Sequence, residues 1–311
     1  MDATVVICTR NRADSLERTL GSLAGMEPPA DLAWEVLIVD NGSTDHTSAV
    51  VGSFGGQLPI SLTREENAGL SNARNHGVKR ARGRYIVWTD DDVVVQSGWL
   101  AAYAAAFRRW PQSAVFGGKV RPVLEEPVPA WFSAARGELA DLLAARDFGE
   151  ISLPLGDGCL PFGANYAVRT AEQLRFPYDP ELGVAPGRNR MGEETKVIRA
   201  ILGQGGTGFY VPEAAVEHMI PRSRQSFSYI AAYYRAHGET AALAERLPPG
   251  RTVGGLPPWL VRKIATAWAL YTFARIGCAP PIYVRHLKTL AYFLGYAAFL
   301  KNGAETRRSG P

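Results

Sequence analysis

Residues 84–95, RYIVWTDDDVVV, set three adjacent carboxylates between two apolar runs, each with the composition of a buried strand. Alternating side-chain directions along a strand point Asp90 and Asp92 one way and Asp91 the other. Two carboxylates converging on one point repel each other, and burial raises the pKa of one of them; a divalent cation removes both costs. Hard oxygen ligands in so small a number suit Mg2+ or Mn2+, ions that complete their shells with water and substrate phosphates. Three aspartates standing alone are more often a solvated acidic turn. The neighbouring sequence therefore decides the reading.

Upstream, TVVICT (4–9) is a β-branched apolar run followed by a loop and then Leu16, Leu20 and Leu23 at helical spacing. WEVLIVD (34–40) is a second buried strand closed by the turn residues NGSTD, and LPISLTR (58–64) reads as a third. ENAGLSNARNHGVKRAR (66–82) reads as a loop opening a helix, with Leu70, Ala73, Gly77 and Ala81 as its packing stripe, before the strand RYIVWT. Strands alternating with helices predict a parallel α/β sheet, whose ligands sit beyond the carboxyl ends of the strands. Cys8 to Arg12, Asp40 to Asp45 and Asp90 to Asp92 fall at such ends. Asp40 closes a buried strand, where an acid needs a donor such as a uracil imide or a ribose hydroxyl. Asn67, Gly69 and Arg74 lie where a loop turns into a helix, a place suited to phosphate as well as to ordinary capping.

Further on, WLAAYAAAFRRW (99–110) reads as a helix, FGGKVRPV (116–123) and LPFGANYAVRT (160–170) as strands, MGEETKVIRAILGQG (191–205) as a helix and GFYVPEAAVEHMI (208–220) as a strand with a turn. Residues 125–160 begin Pro-rich and fit no element. With 311 residues, 46% hydrophobic and 21% charged, the chain buries a full core, and disordered and collagen-like states are excluded. Cys8, Cys159 and Cys278 are odd in number and without CxxC spacing, so neither a disulfide framework nor a zinc cage is indicated, which fits a reducing compartment. MDATVVICTRNR has the composition of a first strand rather than of a secretory signal.

These segments together resemble the family 2 glycosyltransferases, inverting, nucleotide-sugar-dependent enzymes of the GT-A fold. The matching landmarks are VVICTRNR, EVLIVDNGSTD, ENAGLSNARNHGVKRARGRYIVWTDDD, FGANYAVR and GEETKVIRAILGQG with EHMIPRS, in that order over about residues 3–225. The resemblance implies a Rossmann-like, mostly parallel central sheet flanked by helices, with a nucleotide-sugar-binding half over 1–95, an acceptor-binding half over 96–245 and a helical appendage over 246–311. It implies that Thr9, Arg10, Arg12 and Asp40 line the nucleoside pocket, with Asn67, Arg74, Asp90 and Asp91 also on the donor. Asp90 and Asp92 match the family's DxD, which holds Mg2+ or Mn2+ on the diphosphate, and His218 matches a histidine that ligates the same metal in some relatives. GEET stands where the family usually has a Glu-Asp pair whose second acid is the general base. That position is Glu194 here, a departure from the commoner Asp that leaves Glu193 as the other candidate. Gly163, Ala164 and Asn165 are expected below the donor sugar and acceptor. The implied reaction is inversion: Glu194 takes the proton of an acceptor hydroxyl while the metal and Arg74 or Arg222 neutralise the leaving diphosphate. A retaining enzyme would want a second carboxylate near the anomeric carbon, and no spare motif supplies one.

Nine of the 34 Lys and Arg residues, but one acid of 30, Glu305, lie after residue 250. PWLVRKIATAWALYTFARIG and YVRHLKTLAYFLGYAAFLK, within 256–301, read as helices whose uncharged runs are too short to span a bilayer. Their mixture of Trp, Tyr, Phe and Leu with Lys and Arg fits a helix pair at an anionic membrane surface, or a hairpin packed on its own catalytic domain or a second subunit. No nucleic-acid-binding motif accompanies the basicity. The processive synthases of the superfamily carry QxxRW and membrane spans, both missing here, so the expectation is transfer of one sugar, from a UDP-sugar, to a lipid-linked or envelope glycan precursor at the cytoplasmic side of the membrane. Two rivals are a sugar nucleotidylyltransferase, which would want glycine in the loop CTRNRADS, and a catalytically inactive nucleotide-sugar-binding scaffold.

Overall fold

The structure is a computed structural model that describes residues 1–245 and 252–308, with side chains described up to residue 302. Its strands are β1 (Ala3–Thr9), β2 (Trp34–Asp40), β3 (Ile60–Arg64), β4 (Tyr85–Thr89), β5 (Val93–Val95), β6 (Val115–Leu124), β7 (Asn165–Arg169), the two-residue β8 (Val184–Ala185) and β9 (Arg188–Asn189), and β10 (Gly208–Ile220). Its α-helices are α1 (Ala13–Ala24), α2 (Thr47–Ser53), α3 (Leu70–Arg80), α4 (Trp99–Arg109), α5 (Ala130–Ala134), α6 (Thr170–Arg175), α7 (Glu193–Gly203), α8 (Phe227–Glu245), α9 (Pro258–Gly277) and α10 (Pro280–Arg308).

Eight strands form one sheet in the order β3-β2-β1-β4-β7-β6-β10-β5. Strands β3, β2, β1 and β4 run parallel, whereas β4–β7, β7–β6 and β10–β5 pair antiparallel. The parallel part is the one that an alternation of buried strand and amphipathic helix dictates, because parallel neighbours need a crossover. Leu16, Leu20 and Leu23 of α1 are buried in one core layer, and Ala73 and Val78 of α3 in another. α3 lies so close to the sheet that a Cβ on Gly77 would come 2.9 Å from Val6 Cγ1. The in-register ends Thr9, Asp40 and Arg64 fall side by side at the carboxyl edge of β1, β2 and β3.

The chain forms two compact units, Met1–Val123 with Ala144–Gly187 and Gly192–Met219, and Leu124–Leu143 with Arg188–Met191 and Ile220–Pro311. The boundary expected at residue 246 falls in 246–251, outside the described residues. In the first unit, residues 144–163 are mostly turns and isolated bridges. The second unit is helical. α8 and α10 cross at contact distance of their backbones, since a Cβ on Gly238 would lie 1.9 Å from the Tyr292 carbonyl oxygen and one on Gly295 2.0 Å from that of Arg235. Arg285 and Lys288 of α10 bind Glu138 through its carboxylate and its carbonyl. Among the described residues no helix is long and apolar enough to cross a membrane.

Candidate functional site

The three aspartates leave β4 rather than continue it: the strand ends at Thr89, and Asp91 and Asp92 form a turn before β5. Strict strand alternation therefore does not set their directions, so the expectation that Asp90 and Asp92 share a face cannot rest on alternation. What sets them is a group of partners from other elements. Asp91 is buried and accepts a hydrogen bond from Thr9 Oγ1 (2.7 Å). The Arg12 guanidinium, just ahead of α1, lies 3.2 Å from Asp91 Oδ1 and donates to Asp92 Oδ2 at 2.9 Å. Asp92 Oδ1 faces His218 Nε2 across 3.4 Å, a meeting produced by β5 pairing with β10, which sets Val93 opposite His218. Burial, with the neighbouring Asp92, raises the Asp91 pKa to about 7 against the pull of Arg12 and of the Thr9 hydrogen bond.

Arg74 is the second organising residue. Its position on α3 turns it inward, where it is 3% exposed and lies near the Trp88 and Tyr178 rings. Nη1 donates to Glu193 Oε1 at 2.8 Å and lies 3.9 Å from Glu194 Oε2, while Nη2 is 3.7 Å from Asp90 Oδ1. One guanidinium thus joins the acidic turn after β4 to the first turn of α7. Glu193 is buried, and burial together with Glu194 raises its pKa to about 8 despite Arg74. Glu194 is the more open of the two, with its side chain 13% exposed. Cys8, at the end of β1, is raised to about 12 by burial, so it stays a thiol and offers no nucleophile.

The residues expected on the nucleoside surround the same edge. Asp40 is buried, accepts the Ser43 N–H (2.7 Å) and lies 3.6 Å from Arg64. Arg10 donates to the Asn41 carbonyl at 2.8 Å. Asn67 serves through its backbone, its carbonyl accepting from Asn41 Nδ2 (2.9 Å) and its N–H donating to Glu65 (2.7 Å). Asn41 went unremarked in the sequence beyond being a turn residue, yet its amide also reaches the Glu65 carbonyl (3.0 Å) and accepts the Gly69 N–H (2.7 Å). Its signal was its place beside Asp40 at a strand end. His76, likewise missed, bridges Thr63 Oγ1 and Glu65 Oε2, each at 2.9 Å, and so fixes the start of this loop to α3.

The expected acceptor trio separates. Asn165 is fully buried: its Oδ1 accepts from Trp99 Nε1 (2.9 Å) and Tyr103 (2.8 Å), and its Nδ2 donates to the carbonyls of Lys119 (2.9 Å) and Ala214 (2.7 Å). Every hydrogen-bonding position of that amide is used within the core, so it cannot serve an acceptor. Ala164 is buried and its carbonyl accepts from Thr89 Oγ1 (2.9 Å). Gly163 does border the site, because a Cβ there would stand 2.6 Å from Arg74 Nη2. Arg222 lies in the second unit, where its N–H donates to Glu125.

Among the described residues no three His, Cys, Asp or Glu side chains are gathered into a metal cage. What the site does offer is one carboxylate oxygen and one imidazole nitrogen facing each other at 3.4 Å, with Asp90 the most open of the three aspartates. A hard oxygen and an imidazole suit Mn2+ or Mg2+ when other ligands come from a diphosphate. The residues fit a two-point hold, not an all-protein cage.

Residues 4–142 match the model of Glycosyl transferase family 2. The succinoglycan biosynthesis protein ExoM of Rhizobium meliloti is 27% identical over 278 residues, covering 88% of this chain and 84% of ExoM. Other curated relatives, several of them named glycosyltransferases, are longer, and the chain spans about half of their length or less. Among solved structures, Staphylococcus aureus TarS 1–349 in complex with UDP-GlcNAc superposes with a TM-score of 0.56 at 18% identity, covering 97% of this chain and 92% of that one. The Pyrobaculum calidifontis mannosyltransferase PcManGT in complex with GDP-Man and Mn2+ gives 0.51 at 18% identity, covering 99% and 76%. The chain therefore carries a family 2 glycosyltransferase domain over residues 4–142 on a GT-A fold, and it is an enzyme of the transferase class.

Proposed function

We propose that this glycosyltransferase moves one sugar from a nucleoside diphosphate sugar, a UDP-sugar in the first instance, to an acceptor hydroxyl with inversion and with the help of a divalent metal. The observation that supports the reading most is the Arg74 guanidinium, which stands within 4 Å of Asp90, Glu193 and Glu194 and so ties the donor turn to the two candidate bases. Asp40, with Thr9 and the loop that Asn41 holds, receives the nucleoside. Asp92 and His218, with Asp90 two residues before Asp92, would hold Mg2+ or Mn2+, which supplies charge neutralisation for the leaving diphosphate.

The roles of the two glutamates follow from their partners. Glu193 is fastened to Arg74, orients that guanidinium and is poorly placed to give up its partner in a reaction cycle. Glu194, at 3.9 Å and more open, is the base: it accepts the proton of the acceptor hydroxyl as that oxygen attacks the anomeric carbon opposite the diphosphate. Arg74 adds fixed positive charge toward the leaving group, at no cost of reorganisation because its side chain is already packed. The acceptor we favour is a lipid-linked or cell-envelope glycan precursor met at the cytoplasmic face of the membrane, in keeping with the polysaccharide role in ExoM's name.

The test is a thermal-shift screen of nucleoside diphosphates with and without Mn2+, on wild type and on Asp92→Ala. Stabilisation by one nucleotide, dependent on Mn2+ and lost in the variant, is the expected result and names the base. A wild type indifferent to every nucleotide would overturn the donor assignment.

A further inference from the structure

The two carboxyl-terminal helices divide their apolar residues unequally. α10 buries Val284, Leu287, Leu290 and Ala291, so beyond its first turn it is a core helix of the second unit. α9 turns inward chiefly through Leu260, Ala267 and Ala274, spaced at seven residues along one narrow seam. Its other sides and the first turn of α10 leave Trp268, Phe273, Ile276 and Ile282 61%, 73%, 81% and 43% exposed. Single exposed apolar residues mean little, but with Leu270 there are five large ones within fifteen residues, a concentration that calls for an occupant.

Charge identifies the occupant. Residues 252–302 contain six Lys or Arg and no Asp or Glu. Arg262 and Lys263 are solvent-exposed on α9, whereas Arg275 packs over the Phe227 and Tyr283 rings and Arg285 is held by Glu138. A self-complementary pairing of this face with a second copy would bring like cations together with no acid on the face to neutralise them. An anionic bilayer answers both features, taking apolar side chains into the headgroup boundary and cations onto its phosphates.

We propose that the outward side of α9, with the α9–α10 turn, docks the enzyme on an anionic membrane: Trp268, Phe273, Ile276 and Ile282 enter the interface, and Arg262 and Lys263 bind lipid phosphate. This deepens the reading of the acceptor as lipid-linked, and the docking stands on its own observations. The helix lies on the membrane and does not cross it.

The experiment is flotation of the full chain with phosphatidylcholine vesicles, with and without phosphatidylglycerol, at low and high salt. Wild type is expected to float only with the anionic vesicles and less at high salt. The double variants Phe273→Ser/Ile276→Ser and Arg262→Glu/Lys263→Glu are each expected to lose about tenfold or more in partitioning, while keeping the nucleotide-dependent thermal shift, since all four side chains are exposed. Failure of wild type to float, or variants that float as wild type does, overturns the proposal. So does a concentration-dependent dimer that Phe273→Ser/Ile276→Ser dissolves, which would assign the face to a second copy. A wild type that floats yet ignores every nucleotide upholds the docking and sinks the donor reading alone.

Discussion

Arg74, Asp90, Glu193 and Glu194 show how a charged residue in a core can be held for use. A guanidinium buried at 3% exposure would be expensive unless paired, and Glu193 pairs it at 2.8 Å. The neighbouring Glu194 stands 3.9 Å from the same guanidinium, a looser ion pair than that of Glu193. This predicts different kinetics for two substitutions one residue apart. Glu194→Gln should lower kcat by about 10²–10⁴-fold with little change in the donor's KM, because it removes proton acceptance alone. Glu193→Gln keeps a hydrogen-bond acceptor but removes the charge that anchors Arg74, so it should raise KM for the donor and lower kcat less. Steady-state kinetics on both variants decide the point: if Glu193→Gln is the one that abolishes turnover while Glu194→Gln leaves it intact, the roles are exchanged.

Elements bring these residues together, and their legibility in sequence varied for physical reasons. β1, β2, β4 and α1 were readable because a run such as WEVLIVD has one structural solution once turn residues close it. The α3 helix was readable, but the consequence of Arg74 on it was not, since Glu193 lies 119 residues away. Asn165 was misread because a buried polar residue is specified by the distant carbonyls it serves, those of Lys119 and Ala214. The glycine pair before Lys119 makes room for it: a Cβ on Gly118 would stand 2.1 Å from the Asn165 amide nitrogen. α8 is hard to read because the buried face Ile230, Tyr234, Gly238 and Ala242, although at four-residue spacing, ends in small residues that carry little hydrophobic signal. A glycine also tests the site at this scale. Gly163→Ala would set a methyl 2.6 Å from Arg74 Nη2, so the guanidinium must shift, and a displacement of about 1 Å is enough to cost on the order of 10²-fold in rate. Circular dichroism should stay native while kcat/KM falls; full activity with native spectra would mean that the Arg74 position is not required.

For the molecule as a whole, the site opposes the fold that carries it. Asp91 and Glu193 are acids whose folded pKa values are raised, to about 7 and about 8, with burial the first cause of each. An acid raised in the folded state contributes stability that is fully present below its unfolded pKa, near 4, and is lost as pH rises through the folded value. The metal-free protein should therefore lose thermal stability between about pH 5 and pH 9, the range bracketing those two values. At the acid end the order reverses, because Glu35, Asp45 and Glu65 are lowered by their hydrogen-bond partners, net of burial, and stabilise only while ionised. Melting temperatures in chelator across this range check the sign, and Glu193→Gln and Asp91→Asn should each flatten the descent. A bound cation favours the ionised forms, so Mn2+ with nucleoside diphosphate should stabilise the protein more at pH 9 than at pH 6. Equal stabilisation at both values would separate the metal from these carboxylates and require another location for it. On the proposed reading, a donor diphosphate and its metal would offset this cost, because added positive charge favours the ionised forms that burial alone opposes.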